Sequence, residues 1–311
     1  MEAIRTEGLT KRYGKARGIE QVSLAVPEGS FYGFIGPNGA GKSTTIRTLL
    51  GFLRPTAGRA LLLGHEVAPG AAAIRTQIGY VPGEVSLYPD MRVGELLRFA
   101  ARFYPGDHAA RAAELAEALE LDLSRKAGAL SLGNRKKVSL IQALQHRPRL
   151  LLLDEPTSGL DPLIQQRFFT VLLEENARGM TIFFSSHVLS EVQRLCHTVA
   201  IIRDGRLLAV EDVAALRARQ LKRVHVQAPA DRVAGLRALG DLAGVSEFQA
   251  DEAQGQAVGA GFLYSGEVDR LLAALGPLQL SDVIIEEPSL EEIFMRYYGS
   301  EAPARVGFDG T

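Results

Sequence analysis

The stretch GPNGAGKST, Gly36–Thr44, carries the densest chemical signal in the chain. Its spacing fits G-x-x-x-x-G-K-[ST]: Gly36, Gly41, Lys42 and Ser43 occupy the fixed positions, Pro37, Asn38, Gly39 and Ala40 lie between them, and Thr44 follows. An apolar run, Phe31–Ile35, precedes it, and residues patterned as a helix run from Lys42 to about Gly51. Strand, glycine-rich loop and helix N-terminus in that order make an anion site out of backbone. Successive N–H groups converge there and the helix dipole adds to them. The glycines are expected to let the loop wrap a nucleotide's phosphates, with Lys42 on the β/γ oxygens and the Ser43 hydroxyl on Mg²⁺.

A second signal is LLLLDEP, Leu150–Pro156. The leucines predict a strand buried on both faces, and ligands of open α/β sheets bind beyond the carboxyl ends of such strands. Asp154 is delivered to that edge, where it is expected to hold Mg²⁺ through water, because Mg²⁺ keeps part of its hydration shell. Glu155 is placed to polarise an attacking water, a contribution typically of about 10²–10⁴ in rate. The same residues could end a core strand in a solvated turn. Beside an intact phosphate loop they point to hydrolysis.

The rest of the chain has to position these groups. Its 311 residues, 46% hydrophobic and 23% charged, suffice for one large globular domain and a smaller one. A net charge of -1 supplies no basic field, so nucleic acid is not expected as a partner. The single cysteine, Cys196, excludes an internal disulfide, fits a reducing cytosol and reads as a small buried hydrophobe. MEAIRTEGLTKRYG has no apolar core of a secretory signal. Runs such as LLGFL and LLLL fall far short of the roughly 18–20 residues of a membrane span. Work at a membrane would need a spanning partner.

Loose alternation over the first thirty residues predicts antiparallel strands. Strands are expected at Gln77–Val81, Leu150–Leu153, Thr181–Ser185 and Val199–Ile202, with a hairpin turn at Asp204-Gly205. Apolar residues at 93, 96, 97, 100, 103 and 104 predict a helix over Val93–Tyr104, and a second helix follows at about 108–120. Buried strands separated by helices indicate an α/β sheet with a parallel core. After Leu216–Lys222 the pattern becomes strand (Val224–Gln227), helix (Arg232–Leu239), strands near 245–250 and 257–264, helix (Glu267–Leu275), strand (Leu280–Glu286) and helix (Leu290–Tyr298). That order, βαββαβ plus a helix, is ferredoxin-like.

Taken together, the phosphate loop and LLLLDEP resemble the ATP-binding subunit of an ATP-binding cassette (ABC) transporter over about residues 1–215. The resemblance implies a P-loop NTPase with a RecA-like, mostly parallel α/β sheet, an antiparallel β subdomain and a helical subdomain at about 84–146. A small α+β domain at 222–299 and a tail at 300–311 would complete the chain. Other matches can then be carried over singly. SGLD, Ser158–Asp161, matches the loop that crosses the dimer interface, which brings Asp161 to the nucleotide site. His187, in FFSSHV, stands where the family places a histidine on the γ-phosphate, and Tyr13, in KRYG, matches the aromatic that stacks on adenine.

LSLGN, Leu130–Asn134, takes the place of the family's LSGGQ signature, which completes the nucleotide site of the other subunit. Leu132 replaces the first of two glycines and Asn134 the glutamine, while Ser131 and Gly133 remain as the groups nearest phosphate; a plain Ser N-cap is the alternative. In GYVPGE, Gly83 stands where the family has a glutamine, and Glu84 after it is either a metal contact or a solvated loop residue. The resemblance implies ATP and Mg²⁺ as ligands and a second ATP-binding subunit, a homodimer partner or paralogue. It also implies a separate transmembrane permease met by the segment from about Glu84 to Ala127, and a place on the cytoplasmic face of the membrane. The ending EEPSLEEIFMRYYG is similar to the C-terminal extension of bacterial multidrug and antibiotic exporter cassettes, which favours export. A soluble ABC ATPase of DNA repair or ribosomes is the rival; it would usually bring paired cassettes, a long coiled coil or basic surfaces. An ATP-holding module without turnover is disfavoured by Lys42, Asp154, Glu155 and His187.

Overall fold

Alternation at the start of the chain produces two long antiparallel strands, β1 (Glu2–Tyr13) and β2 (Ala16–Pro27). In this computed structural model, residues 1–14, 16–67, 72–214, 221–251 and 257–286 are described. The chain forms two compact units that part between Glu211 and Asp212. In the first, β3 (Phe31–Ile35), α1 (Lys42–Leu49), β4 (Ala57–Leu62), β5 (His65–Glu66), α2 (Ala72–Arg75) and β6 (Ile78–Val81) follow. Three helices come next, α3 (Val93–Ala101), α4 (Ala109–Ala118) and α5 (Leu132–Leu144). The unit then runs through β7 (Leu150–Asp154), α6 (Pro162–Ala177), β8 (Thr181–Ser186), α7 (Leu189–Leu195), β9 (Thr198–Arg203) and β10 (Arg206–Asp212).

The strands form two sheets, ordered β2-β1-β4-β5 and β10-β9-β3-β8-β7-β6. In the second, β9, β3, β8, β7 and β6 pair in parallel. Every residue of β3, β7 and β8 is buried, as strands covered on both faces must be. One core joins the sheets: Ile4, Leu9 and Val22 of the antiparallel sheet, Ile46 and Leu49 of α1, and Phe34, Leu152 and Phe183 of the parallel sheet. Cys196 lies buried against Gly33, and burial pushes its thiol well above the ordinary range. The hairpin turn is present, with Asp204 and Gly205 both at positive φ (51° and 76°) as a type I′ turn requires.

Two differences from the sequence reading have local causes. Helix α3 stops at Ala101 rather than Tyr104, because the Arg102, Phe103 and Tyr104 amides bond to carbonyls three residues back, the tighter turn that ends many helices. Helix α6, not expected from periodicity, is launched by Asp161, whose Oδ1 accepts the Ile164 amide at 2.9 Å, and by Pro162 in its first turn.

The second unit contains β11 (Leu221–Pro229), α8 (Val233–Ala238), β12 (Val245–Ala250), β13 (Ala257–Ser265), α9 (Val268–Leu275) and β14 (Asp282–Glu286). Its antiparallel sheet has the order β12-β13-β11-β14, the ferredoxin-like arrangement, closed over its own core of Val224, Val226, Leu236, Phe262 and Leu271. The helix expected at Leu290–Tyr298 and the tail at 300–311 lie outside the described residues.

Beyond α5, His146 stacks on Tyr104 with centroids 3.6 Å apart and ring planes at 12°, and one ring nitrogen lies 3.2 Å from the Ile78 carbonyl. Burial pushes His146 down from 6.5 to about 4. Between those values the unfolded chain binds a proton that the folded chain refuses, so stability falls as pH drops from 6.5 toward 4. Replacing His146 with Gln should remove up to one proton from that slope, measured by denaturant unfolding across the same pH range. An unchanged slope would show that His146 titrates alike in both states.

Candidate functional site

Strand β3 ends at Ile35, Gly36 opens the loop, and α1 begins at Lys42. A side chain at Gly36 would have its Cβ only 2.2 Å from the Ile202 carbonyl oxygen, so only glycine lets the loop turn against β9. Gly41, the N-cap of α1, sits at φ 108°, and no side chain caps this end. The first turn also lacks an acidic residue. The loop thus ends in a helix N-terminus whose free N–H groups favour an anion. Pro37, Asn38 and Gly39 are exposed at its tip, while the buried Ala40 accepts the Gly205 amide at 2.9 Å. Thr44 is half-buried, and its carbonyl accepts the Thr48 hydroxyl at 2.7 Å.

Lys42 is only 4% exposed. Its ammonium donates to the carbonyls of Gly36 at 2.6 Å and Pro37 at 3.0 Å, and pairs with Glu155 Oε1 at 3.0 Å. Ser43 Oγ donates to Asp154 Oδ1 at 2.9 Å, bringing a hydroxyl and a carboxylate together at the end of β7. Two hard oxygen groups, with one carboxylate, fit Mg²⁺, which takes one or two carboxylates and fills its shell with water and phosphate oxygens. Among the described residues no cluster of three or more His, Cys, Asp or Glu could hold a metal by itself.

The neighbouring carboxyls are perturbed in opposite directions. Asp154 is 2% exposed; burial raises it, and the Ser43 and Ser185 hydroxyls offset this only partly. Burial also pushes Glu155 up, but the hydrogen bond and charge of Lys42, with His187, outweigh it and hold the carboxyl below the usual range. Glu155 Oε2 lies 3.1 Å from His187 Nδ1, so the carboxylate spans lysine and histidine. Its backbone adopts φ 46°, a left-handed conformation uncommon for a residue with a side chain.

Three residues that sequence reasoning missed hold this arrangement. Ser185, fully buried, donates to Asp154 Oδ1 at 3.2 Å and accepts the Glu155 amide at 3.1 Å. Ser186 Oγ donates to the buried Glu191 carboxylate at 2.6 Å and accepts the Val188 amide at 2.9 Å, which fixes the turn carrying His187. Lys136 of α5 donates to the carbonyls of Glu155 at 3.1 Å and Ser158 at 2.7 Å. The available signal was polar residues, the pair Ser185-Ser186 above all, placed where an apolar pattern calls for hydrophobes.

The remaining expected residues stand elsewhere. Tyr13 ends β1, partly exposed, with the Lys11 ammonium 5.6 Å from its ring centroid. Ser131 is exposed and N-caps α5, its Oγ accepting the Asn134 amide at 3.4 Å. Gly133 is buried, and a Cβ there would lie 2.8 Å from Ile164 Cδ1, the mobile end of a half-buried side chain that would have to shift. Leu132, 44% exposed, covers Gly159 at a distance of 2.7 Å from the Cβ that a side chain would add there. Asp161 is exposed and its carboxylate caps α6. Gly83 passes beside the Asp154 carbonyl, and Glu84 is exposed.

The chain is similar to known proteins over most of its length. A family model described as ABC transporter matches residues 19–158. The linearmycin resistance ATP-binding protein LnrL of Bacillus subtilis (strain 168) is 30% identical over 95% of this chain and 98% of its own length. The bacitracin transport ATP-binding protein BcrA of Bacillus licheniformis is 32% identical over 95% of this chain and 97% of its own. A solved ATP-binding subunit of an ABC transporter superposes with a TM-score of 0.65 at 31% identity, covering 70% of this chain and 92% of that one.

Ser185 gives a direct test of the hydrogen-bond framework. Ser185→Ala leaves a buried carboxylate oxygen short of a donor, and should cost about 1–3 kcal/mol in denaturant unfolding. A loss below about 0.5 kcal/mol would mean that water or another donor takes its place.

Proposed function

The chain belongs to the ABC transporter family as an ATP-binding subunit, and we propose that it is the ATP-hydrolysing motor of an antibiotic- or drug-type exporter. Subunits of this family hydrolyse ATP to power transport, dimerise, and work with membrane permeases. One observation carries the mechanistic reading. Lys42, Ser43, Asp154, Glu155 and His187 meet within hydrogen-bond reach at the carboxyl edge of a parallel sheet, beside the uncapped N-terminus of α1.

In this reading the Gly36–Thr44 amides and Lys42 grip the ATP phosphates, Tyr13 stacks on adenine, and Ser43 and Asp154 hold Mg²⁺. The metal, when bound, neutralises charge on the phosphate oxygens. Lys42 uses its donors on two loop carbonyls and Glu155, and phosphate oxygens compete for them. As Lys42 turns to phosphate, Glu155 loses a counter-charge and becomes the stronger base, with His187 still orienting its other oxygen. Ser131 and Gly133 address the nucleotide of the second subunit, with Asp161 at that boundary. The exposure of Ser131 and Leu132 supports this.

Export is favoured by the two relatives, named for linearmycin resistance and bacitracin transport, which match 95% of the chain. We read 1–215 as the ATP-binding domain and 222–299 as an accessory domain. No helix among the described residues is long and apolar enough to cross a membrane. A separate permease is the proposed partner, met on the cytoplasmic side. A groove of about 460 Å³, lined by Phe52, Tyr80, Tyr88, Phe99 and Phe103, supports that contact, and most of these aromatics lie within or beside the segment from Glu84 to Ala127.

Glu155→Gln should keep ATP binding, lower turnover by at least about 10²-fold and accumulate an ATP-bound dimer, read by ATPase assay and size-exclusion chromatography. Unchanged turnover would remove Glu155 from its role. Mixing Ser131→Ala with Lys42→Ala chains tests site sharing. Mixed dimers retain one composite site with both groups, so activity should rise above either parent alone, and no rise would place Ser131 outside the shared site.

A further inference from the structure

We infer that Lys136 is a positioning residue for the reaction: it clamps the backbone carbonyl of Glu155 and so holds the carboxylate in its working place. This rests on Glu155 being the group that activates water.

Lys136 is 1% exposed, and the hydrogen-bond acceptors that hold its ammonium are two backbone carbonyls rather than a carboxylate. A buried ammonium is expensive, and an apolar side chain of similar length would avoid that cost. What the apolar side chain could not do is satisfy the Glu155 and Ser158 carbonyls. Burial lowers the Lys136 pKa, while the charges of Glu155, Glu191 and Asp154 act to keep it protonated.

The need for a clamp follows from the backbone. A left-handed conformation at a residue with a side chain persists only where its surroundings over-determine it. On the amide side, Glu155 N–H donates to both the Ser185 carbonyl at 3.2 Å and the Ser185 hydroxyl at 3.1 Å. On the carbonyl side two donors meet the oxygen, Lys136 at 3.1 Å and the Ser158 amide of the following turn at 3.3 Å. Without Lys136 that side is left to the longer Ser158 bond, and both residues of the turn lose their common anchor; φ can then relax to negative values, which swings Cβ and carries the carboxylate away from Lys42 and His187. The second bond, to Ser158, keeps the following turn in step. Leu132, one helical turn earlier in α5, lies over Gly159 of the same segment. Helix α5 therefore grips the loop after Glu155 at both its backbone and its glycine.

The test compares Lys136→Met, Lys136→Arg and Glu155→Gln in the full chain, measuring kcat, KM for ATP, nucleotide affinity and thermal stability. Lys136→Met should lower kcat by about 10–100-fold with ATP affinity unchanged, the size expected for a misplaced reacting group. Arg, which can reach both carbonyls, should restore most of it. In Glu155→Gln, adding Lys136→Met should produce little further loss, because the two act as one unit. If the Met variant does not fold, Lys136→Gln, long enough for one carbonyl, should show a loss of about 3–10-fold with the same split. Wild-type kcat in the Met or Gln variant overturns the inference, as does an equal fall in affinity and kcat that Arg fails to rescue. Unchanged turnover in Glu155→Gln defeats the water-activation reading instead, whatever Lys136 does.

Discussion

Two rows of parallel backbone hydrogen bonds decide where the side chains of the candidate site stand. Strand β8 lies between β3 and β7, and the register sets Ser186 opposite Ile35 and Ser185 opposite Asp154. The ends of three strands are therefore level, and the loops leaving them carry Lys42, Glu155 and His187 into one place. A slip of one residue in β7 would turn a leucine toward Ser43 in place of Asp154. Burial of every residue in β3, β7 and β8 resists such a slip, since it would exchange the contacts on both faces at once.

The same edge separates two adjacent carboxyls by environment. Asp154 meets neutral hydroxyls in a buried place and is raised; Glu155 meets a cation and is lowered. Consecutive residues of a strand face opposite sides of the sheet, so both could not serve one site if the strand continued. The left-handed turn at Glu155 breaks the alternation, and Asp154 reaches Ser43 while Glu155 reaches Lys42. Environments that push neighbouring acids apart are how one site assigns them different work.

The glycine-rich loop was legible because its conformation is set by backbone, which needs glycines at fixed places: Gly36 against Ile202 and Gly41 at φ 108°. The strand ending in Asp154 was legible from its unbroken leucines, and the second unit's arrangement from its succession of strands and helices. Ser185 and Lys136 were not, because their partners lie 19 to 31 residues away and common residue types give no local pattern. Gly133 was read for phosphate alone, and the structure adds that it lies buried beside the Ile164 side chain. Helix α6 escaped because its start depends on a cap, Asp161, that had been given a different role.

Cys196 has a consequence for how the molecule can be handled. It is the sole thiol in the sequence, lies buried against Gly33, and is held in its protonated form by burial and by the charge of Glu191. Only a thiolate reacts readily with maleimides or disulfides. A cysteine introduced at an exposed position such as Ser131 or Asn38 would therefore be the one point of attachment, and a fluorophore or cross-linker could be placed there without first replacing Cys196.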